Sequence, residues 1–343
     1  MAPNPSPYPL PQGEGECGLD GIWEDGPVAR FLTGRLLDLL VVLFGVSVVA
    51  FLMIRLIPGD AVQIMLGANS EVTPDRIAAL RQRLGLDQPM VTQYLAWLGG
   101  LLTGDLGTSL WTGRPVLEEI GARIGVTIEV TLLALAVSVA LAVPAGCLMA
   151  YFRNSARDYL VRVVTIAGVT VPSFWLGALL IYLFHGVFPA FPAIGFVPLA
   201  EDPVGNLQRM LLPTIALAVP VLASLSRIVR SAMLDALGQD YIRTARAKGV
   251  SERSVVFHHA FRNAMIPFVT ALGISAGYLF GGAIVVEQVF ALPGLGRLML
   301  GAIAERNYPL IQAAILLVTA GFVVVNFVTD MLYAALDPRI GLR

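Results

Sequence analysis

Lys248 is the only lysine in the 343 residues. It precedes Gly249 instead of following a glycine, so the Gly-Lys-Ser/Thr core of a phosphate-cradling P-loop cannot be written with it. The residues that could do other chemistry are as sparse. His185, His258 and His259 are too few and too scattered for an obvious metal site. Cys17 lies in a polar tail and Cys147 in an apolar run, which predicts two free thiols and no disulfide framework. Ser173 precedes Phe174-Trp175 without the glycines of a nucleophile elbow. Four acids fall inside apolar runs, and Asp38, one turn inside the first, is expected to reach the interface. Glu129 and Asp330 sit near the ends of their runs, where structural roles are expected. Glu287, in Val285-Val286-Glu287-Gln288-Val289-Phe290, is a candidate for lining a pathway or an outer gate, with a structural role as the alternative. Phe174 is a second candidate pathway residue, with packing as the plainer alternative.

The most distinctive stretch is polar and basic. Residues 240–267 carry Arg243, Arg246, Lys248, Arg253 and Arg262 between two hydrophobic blocks. Asp240 to Lys248 has good helix formers and an acidic start. Gly249 supplies the left-handed residue that ends a helix. Ser251 is placed to cap a second helix, and Pro267 to open a membrane segment. The expectation is a helix-turn-helix lying outside the lipid.

Only apolar elements can position that loop. The chain is 56% hydrophobic and 14% charged, with mean hydropathy +0.75, against about 25% charged in soluble domains. This is a polytopic membrane protein, and no basic tract or aromatic stacking motif supports nucleic-acid binding. Residues 1–29, rich in Pro, Gly and acid, read as a disordered tail without the positive start of a signal peptide. Six spans follow, at 36–57, 124–151, 160–187, 211–229, 264–290 and 309–336, each long enough for about 30 Å of hydrocarbon. Pro58-Gly59-Asp60 ends the first, and a short helix is expected over 73–84 behind Thr73-Pro74-Asp75. With the amino terminus inside, fourteen Arg or Lys fall on the inner side and three (Arg209, Arg297, Arg306) in the short outer loops. That asymmetry places both termini and the 240–267 loop in the cytoplasm.

Arg243-Thr244-Ala245-x-x-x-Gly249 resembles the EAA loop of ABC-importer permeases, and its wording is similar to the dipeptide/oligopeptide/nickel branch. Arg243 and Thr244 stand where the general pattern has Glu and Ala, and the spacing from Gly249 to Pro267 is long; the peptide branch shares both departures. Ile57-Pro58-Gly59-Asp60, Leu84-Gly85-Leu86-Asp87-Gln88-Pro89, Gly104-Asp105-Leu106-Gly107, Arg114-Pro115-Val116, Leu292-Pro293-Gly294-Leu295-Gly296-Arg297, Arg306-Asn307-Tyr308-Pro309 and Asp337-Pro338-Arg339-Ile340 are similar to the same family. The resemblance covers residues 31–343.

It implies an all-α type I importer fold of six transmembrane helices, with a first helix and external region over 30–123 and a permease core over 124–343. Within that core it implies a coupling loop at 230–264, whose Asp240, Tyr241, Arg243, Thr244, Ala245, Arg246, Lys248 and Gly249 dock on an ATPase. The implied setting is a bacterial or archaeal inner membrane. The implied partners are a homologous second permease, two ATP-binding subunits that hold ATP and magnesium, and an extracytoplasmic solute-binding protein; this chain has no cofactor of its own. The implied mechanism is alternating access, carrying a peptide or a related small solute such as nickel, glutathione or an opine. The rival readings are an ion-gradient-driven secondary transporter and a membrane-embedded scaffold or enzyme.

Overall fold

A computed structural model describes residues 27–56, 78, 82 and 87–336. The tail before residue 27, the break at Pro58-Gly59-Asp60, nearly all of the expected 73–84 helix and the terminal 337–340 motif lie outside the described residues. Those residues form ten helices: α1 Pro27–Leu56, α2 Met90–Thr103, α3 Val116–Tyr151, α4 Ala156–Thr170, α5 Ser173–Val187, α6 Pro203–Leu237, α7 Asp240–Ala247, α8 Glu252–Val289, α9 Leu295–Ala304 and α10 Tyr308–Leu336. Five of them (α1, α3, α6, α8, α10) are long and apolar enough to cross a membrane, and α4 with α5 makes a sixth if that bent pair is one crossing.

The expected 160–187 span takes the form of two helices meeting at 106°. The cause is local. A proline disfavours helical backbone in the residue before it, and Val171, before Pro172, sits at φ −81°, ψ 122°. The other spans run longer than their apolar cores. The second begins at Val116 and the fourth extends from Pro203 to Leu237, because amphipathic turns continue each helix past the hydrocarbon. Pro144, Pro213 and Pro220 are absorbed inside helices, as packed neighbours in a membrane protein allow.

α6 is the centre. It packs against α3, α8, α4 and α5 and is the most buried span. Small residues set how closely its neighbours approach. A Cβ on Gly146 would lie 2.5 Å from Val229 Cβ and 2.8 Å from the Ser226 carbonyl, so α3 meets α6 nearly backbone to backbone. Gly273 and Gly277 do the same for α8 against Thr329 and Phe322 of α10, a small-xxx-small contact that needs no hydrophobic driving force in lipid. α1 is held to α10 by Arg35 and Asp330 at 3.2 Å, so Asp330 takes the structural role expected of it.

Candidate functional site

α7 lies between the end of α6 and the start of α8, across Gly238 and Gln239 on one side and Lys248 to Ser251 on the other. One apolar anchor fixes it. Ile242 is fully buried and joins Val255, Val256 and Ala260 in the core. Its exit is a Schellman turn. The Gly249 amide donates to the Arg246 carbonyl at 2.9 Å and the Val250 amide to the Ala245 carbonyl at 3.2 Å. Gly249 sits at φ +77°, the left-handed value its place in the sequence requires. Val250 and Ala245, half-buried, close the apolar side of the turn.

Ala245 therefore turns inward with Ile242, one helical turn apart, and presents little of itself to a partner. The outward face carries Tyr241, Arg243, Thr244, Arg246 and Lys248, all exposed. Asp240 pairs with Arg243 at 3.2 Å in the first turn, where a carboxylate suits the helix dipole. Arg246 reaches Glu252 with two hydrogen bonds, at 3.0 and 2.6 Å, which hold its guanidinium pKa above the ordinary value. Both partners are about half exposed, so the pair orients the turn and adds at most about 1 kcal/mol. Tyr241 Oη accepts from Asn263 Nδ2 at 2.7 Å, tying α7 to α8.

Two expectations around α7 are corrected. Ser251 occupies the N-cap position but makes no side-chain cap bond. Pro267 does not open a new segment, because α8 is continuous from Glu252 through it. The first turns of α8 are π-helical over Val255–Ala260; the widened turn takes up extra chain between Gly249 and Pro267, and π-turns cluster at functional sites. Beside α7 opens a cleft of about 550 Å³, lined by Tyr151 at the end of α3 and Arg153 just after it, Leu234 and Leu237 of α6, and Arg246 and Glu252.

Sequence reasoning missed Asp158. It is fully buried at the start of α4. It accepts from Arg230 of α6 (Nε and Nη2, both 3.0 Å), from Arg162 at 2.8 Å and from the Asn154 amide at 3.0 Å. Ser155 followed by Asp158 was a readable helix start, and Ser155 Oγ does accept the Asp158 amide. Arg230 is 72 residues away and carries no local signal.

Phe174 and Glu287 part company. Phe174, half exposed, lines a cleft of about 530 Å³ between α5, α8 and α10, with Tyr278, Gly281, Val285 and Phe322. Glu287 is fully buried and does not line that cleft. Its carboxylate accepts from Thr127 Oγ1 at 2.5 Å and from the Arg297 amide at 3.1 Å, while Thr127 Oγ1 accepts from the Leu295 amide at 2.8 Å. Together they satisfy the free amides at the start of α9. A Cβ on Gly294 would fall 2.2 Å from the carboxylate carbon, which explains the glycine there.

Among the described residues, no three His, Cys, Asp or Glu side chains gather as a metal site.

Comparison with known proteins agrees with this arrangement. Residues 142–342 match the family model described as the binding-protein-dependent transport system inner membrane component, and residues 28–131 match the model of its N-terminal part. A putative peptide transport system permease protein of Brucella suis biovar 1 (strain 1330) is 42% identical over 306 residues, 89% of this chain and 97% of the relative. The glutathione transport system permease protein GsiC of Escherichia coli O6:H1 is 41% identical over 311 residues, 91% of this chain and 98% of the relative. Among solved structures, an inward-facing MetNI methionine ABC transporter aligns with TM-score 0.50 at 18% identity, covering 64% of this chain and 96% of that one, a likeness of fold. The chain belongs to the binding-protein-dependent transport system inner membrane components, the permease subunits of ABC importers, and is a multi-pass inner-membrane protein that works with an ATPase and a solute-binding protein.

Proposed function

We propose that this chain forms half of a translocation pathway that carries small peptides or peptide-like solutes into the cytoplasm. α7 is the helix through which ATP hydrolysis drives it. The observation that carries the reading is the form of α7: a short helix held by one buried side chain and a Schellman turn, with Tyr241, Arg243, Thr244, Arg246 and Lys248 exposed on its outer face. Such a helix is rigidly mounted and has its outer face free for a partner. The ATPase surface would meet Tyr241, Arg243, Thr244 and Lys248. Asp240 and Arg246 would orient the ends, Gly249 would set the close approach, and Ala245 would seat the helix on its own core. The complex proposed has a homologous second permease, two ATPase subunits holding ATP and magnesium, and one external binding protein. The permease core runs over 124–343, and the coupling loop, at 230–264, includes the ends of α6 and α8. Phe174 would line the pathway, and Glu287 would act on it through α9. Peptide-like cargo follows from the names of the relatives, which are peptide and glutathione permeases.

Uptake into vesicles holding the assembled complex should require ATP and persist when proton gradients are collapsed. Uptake driven by an ion gradient alone would replace this reading with secondary transport, for which Asp330 and Glu287 are poorly placed, since both are already committed to partners.

The proposed orientation puts the termini and α7 in the cytoplasm. A reporter that works only outside the cytoplasm should be active when fused after Gly104 or Gly205 and silent after Gly249. Activity at Gly249 would reverse the orientation and remove α7 from the ATPase side.

A further inference from the structure

The start of α3, the helix α9 and the start of α10 bury a core of their own, apart from the main one. Val116 and Ile120 meet Leu295 and Leu298, with Leu310 and Ala314 behind them. This unit stands at the Val116 end of α3, whereas the cleft beside α7 is lined from its Ala150 end. α3 is 36 residues long, so the two lie about 50 Å apart along the helix.

On this unit rides a small hairpin. Thr108 and Pro115 bridge antiparallel, and the Ser109 amide donates to the Arg114 carbonyl at 2.9 Å. Asn307, almost fully buried in the α9–α10 turn, grips it. Its Nδ2 donates to Ser109 Oγ at 2.8 Å and its Oδ1 accepts the Leu110 amide at 3.3 Å. Next along the hairpin, Trp111 Nε1 donates to the Glu305 carbonyl at 2.9 Å, yet the residue is 58% exposed. The indole is thus held in one place with its ring open. Beside it, Arg306 makes a costly choice. α9 ends in the same Schellman turn as α7: the Arg306 amide donates to the Ile303 carbonyl at 3.2 Å and the Asn307 amide to the Ala302 carbonyl at 2.8 Å. The left-handed position that Gly249 fills there is filled here by arginine, at φ +55°. A glycine would relax the backbone, so the turn keeps a strained, exposed arginine beside a fixed, exposed tryptophan.

We propose that Trp111 and Arg306 form the docking platform for the external solute-binding protein, with the indole as the anchor buried on contact and the guanidinium at its rim. The orientation proposed above puts this surface outside the cell, and the proposal rests on that reading. A binding protein is a partner that the family's own description names, and an extracytoplasmic one would meet the outer face. Tryptophan and arginine are the residue types that concentrate binding energy at protein interfaces. Fixing the ring beforehand removes the entropy cost of ordering it on contact.

The test uses the assembled importer in lipid nanodiscs, after confirming ATP-driven uptake by the unaltered complex. If that uptake is missing, the functional reading fails first and separately. A photo-crosslinking amino acid at position 111 should then capture the binding protein. Trp111→Ala should weaken its affinity about tenfold or more. Arg306→Gly is the sharper variant: it should melt no earlier than the unaltered complex while binding the binding protein several-fold more weakly. A structural role alone would not separate those two readouts. Adducts with lipid only would make Trp111 a membrane-interface anchor, adducts with the second permease only would make it a subunit contact, and unchanged affinity in both variants would remove the platform. Each of these overturns the proposal.

Discussion

Replacing Gly249 with valine is expected to reduce solute uptake to background while the membrane-embedded helices stay assembled. The position requires φ +77°, which a β-branched residue adopts only at about 1–2 kcal/mol. That cost is local. A Cβ at Gly249 meets nothing within 4 Å of its own chain, so no clash spreads into the core and insertion should be normal. The Schellman turn, however, depends on that backbone value. Without it α7 extends or tilts, Val250 leaves the apolar side of the turn, and the outward face of Tyr241, Arg243 and Thr244 is re-aimed. Gly249→Asn separates the two ways of losing function, since asparagine tolerates the left-handed region. Uptake retained by asparagine and lost by valine assigns the effect to turn geometry. Uptake lost by both assigns it to a partner surface that admits no side chain. Both variants at normal abundance with normal uptake would leave α7 with no role beyond setting topology. Ala245→Asp is the poorer probe, because Ala245 faces its own core and a charge there would damage this chain before it reached a partner.

Much of α7 was legible because its determinants are contiguous. Asp240 starts it, Gly249 stops it, and both act through backbone groups within one turn. The spans were legible for the same reason: a long apolar run in so uncharged a chain has few places to go. What the chain does at a distance was not. That Ala245 turns inward depends on how α7 rolls against α8, and neither the missing Ser251 cap bond nor the π-turn that follows it has a local signal. Glu287 read equally as a pathway acid or a structural one, because an ionisable group in an apolar run is a functional candidate by default; its partner Thr127 lies 160 residues earlier, and only the fold brings the two together at the start of α9. The Pro172 break was visible as a proline, but a helix can kink or stop at one, and 106° is decided by where α5 must pack. Gly177 of α5 leaves 2.8 Å between a would-be Cβ and the Phe290 ring.

Asp158→Ala is expected to cost about 2–4 kcal/mol of stability, read as an earlier melting of the detergent-solubilised complex and lower abundance in the membrane. Two guanidinium groups converge on this carboxylate. Removing it leaves Arg230 and Arg162 facing one another across a site with no exposed surface of its own. The cost sits below the largest values for fully buried pairs because Arg230 and Arg162 keep 21% and 34% of their side-chain surface, and water screens part of the repulsion. The Asn154 amide, whose residue sits left-handed at φ +62°, also loses its acceptor. Asp158→Leu combined with Arg230→Met tests whether charge pairing or shape holds α4 to α6. Replacing Asp158 and Arg230 by apolar groups of similar volume removes the repulsion between the two guanidiniums and leaves only Arg162, a third exposed, to turn to water, so the double variant should recover much of the stability lost by Asp158→Ala. Uptake is the second readout. Arg230 stands two turns before the end of α6, from which α7 hangs, so the clasp joins the helix that carries the coupling element to the start of α4, the helix that leads into α5 and its Phe174. If motion of α7 reaches the pathway by this route, the double variant will be stable and still transport poorly. If stability and uptake recover together, the clasp only holds the helices in place.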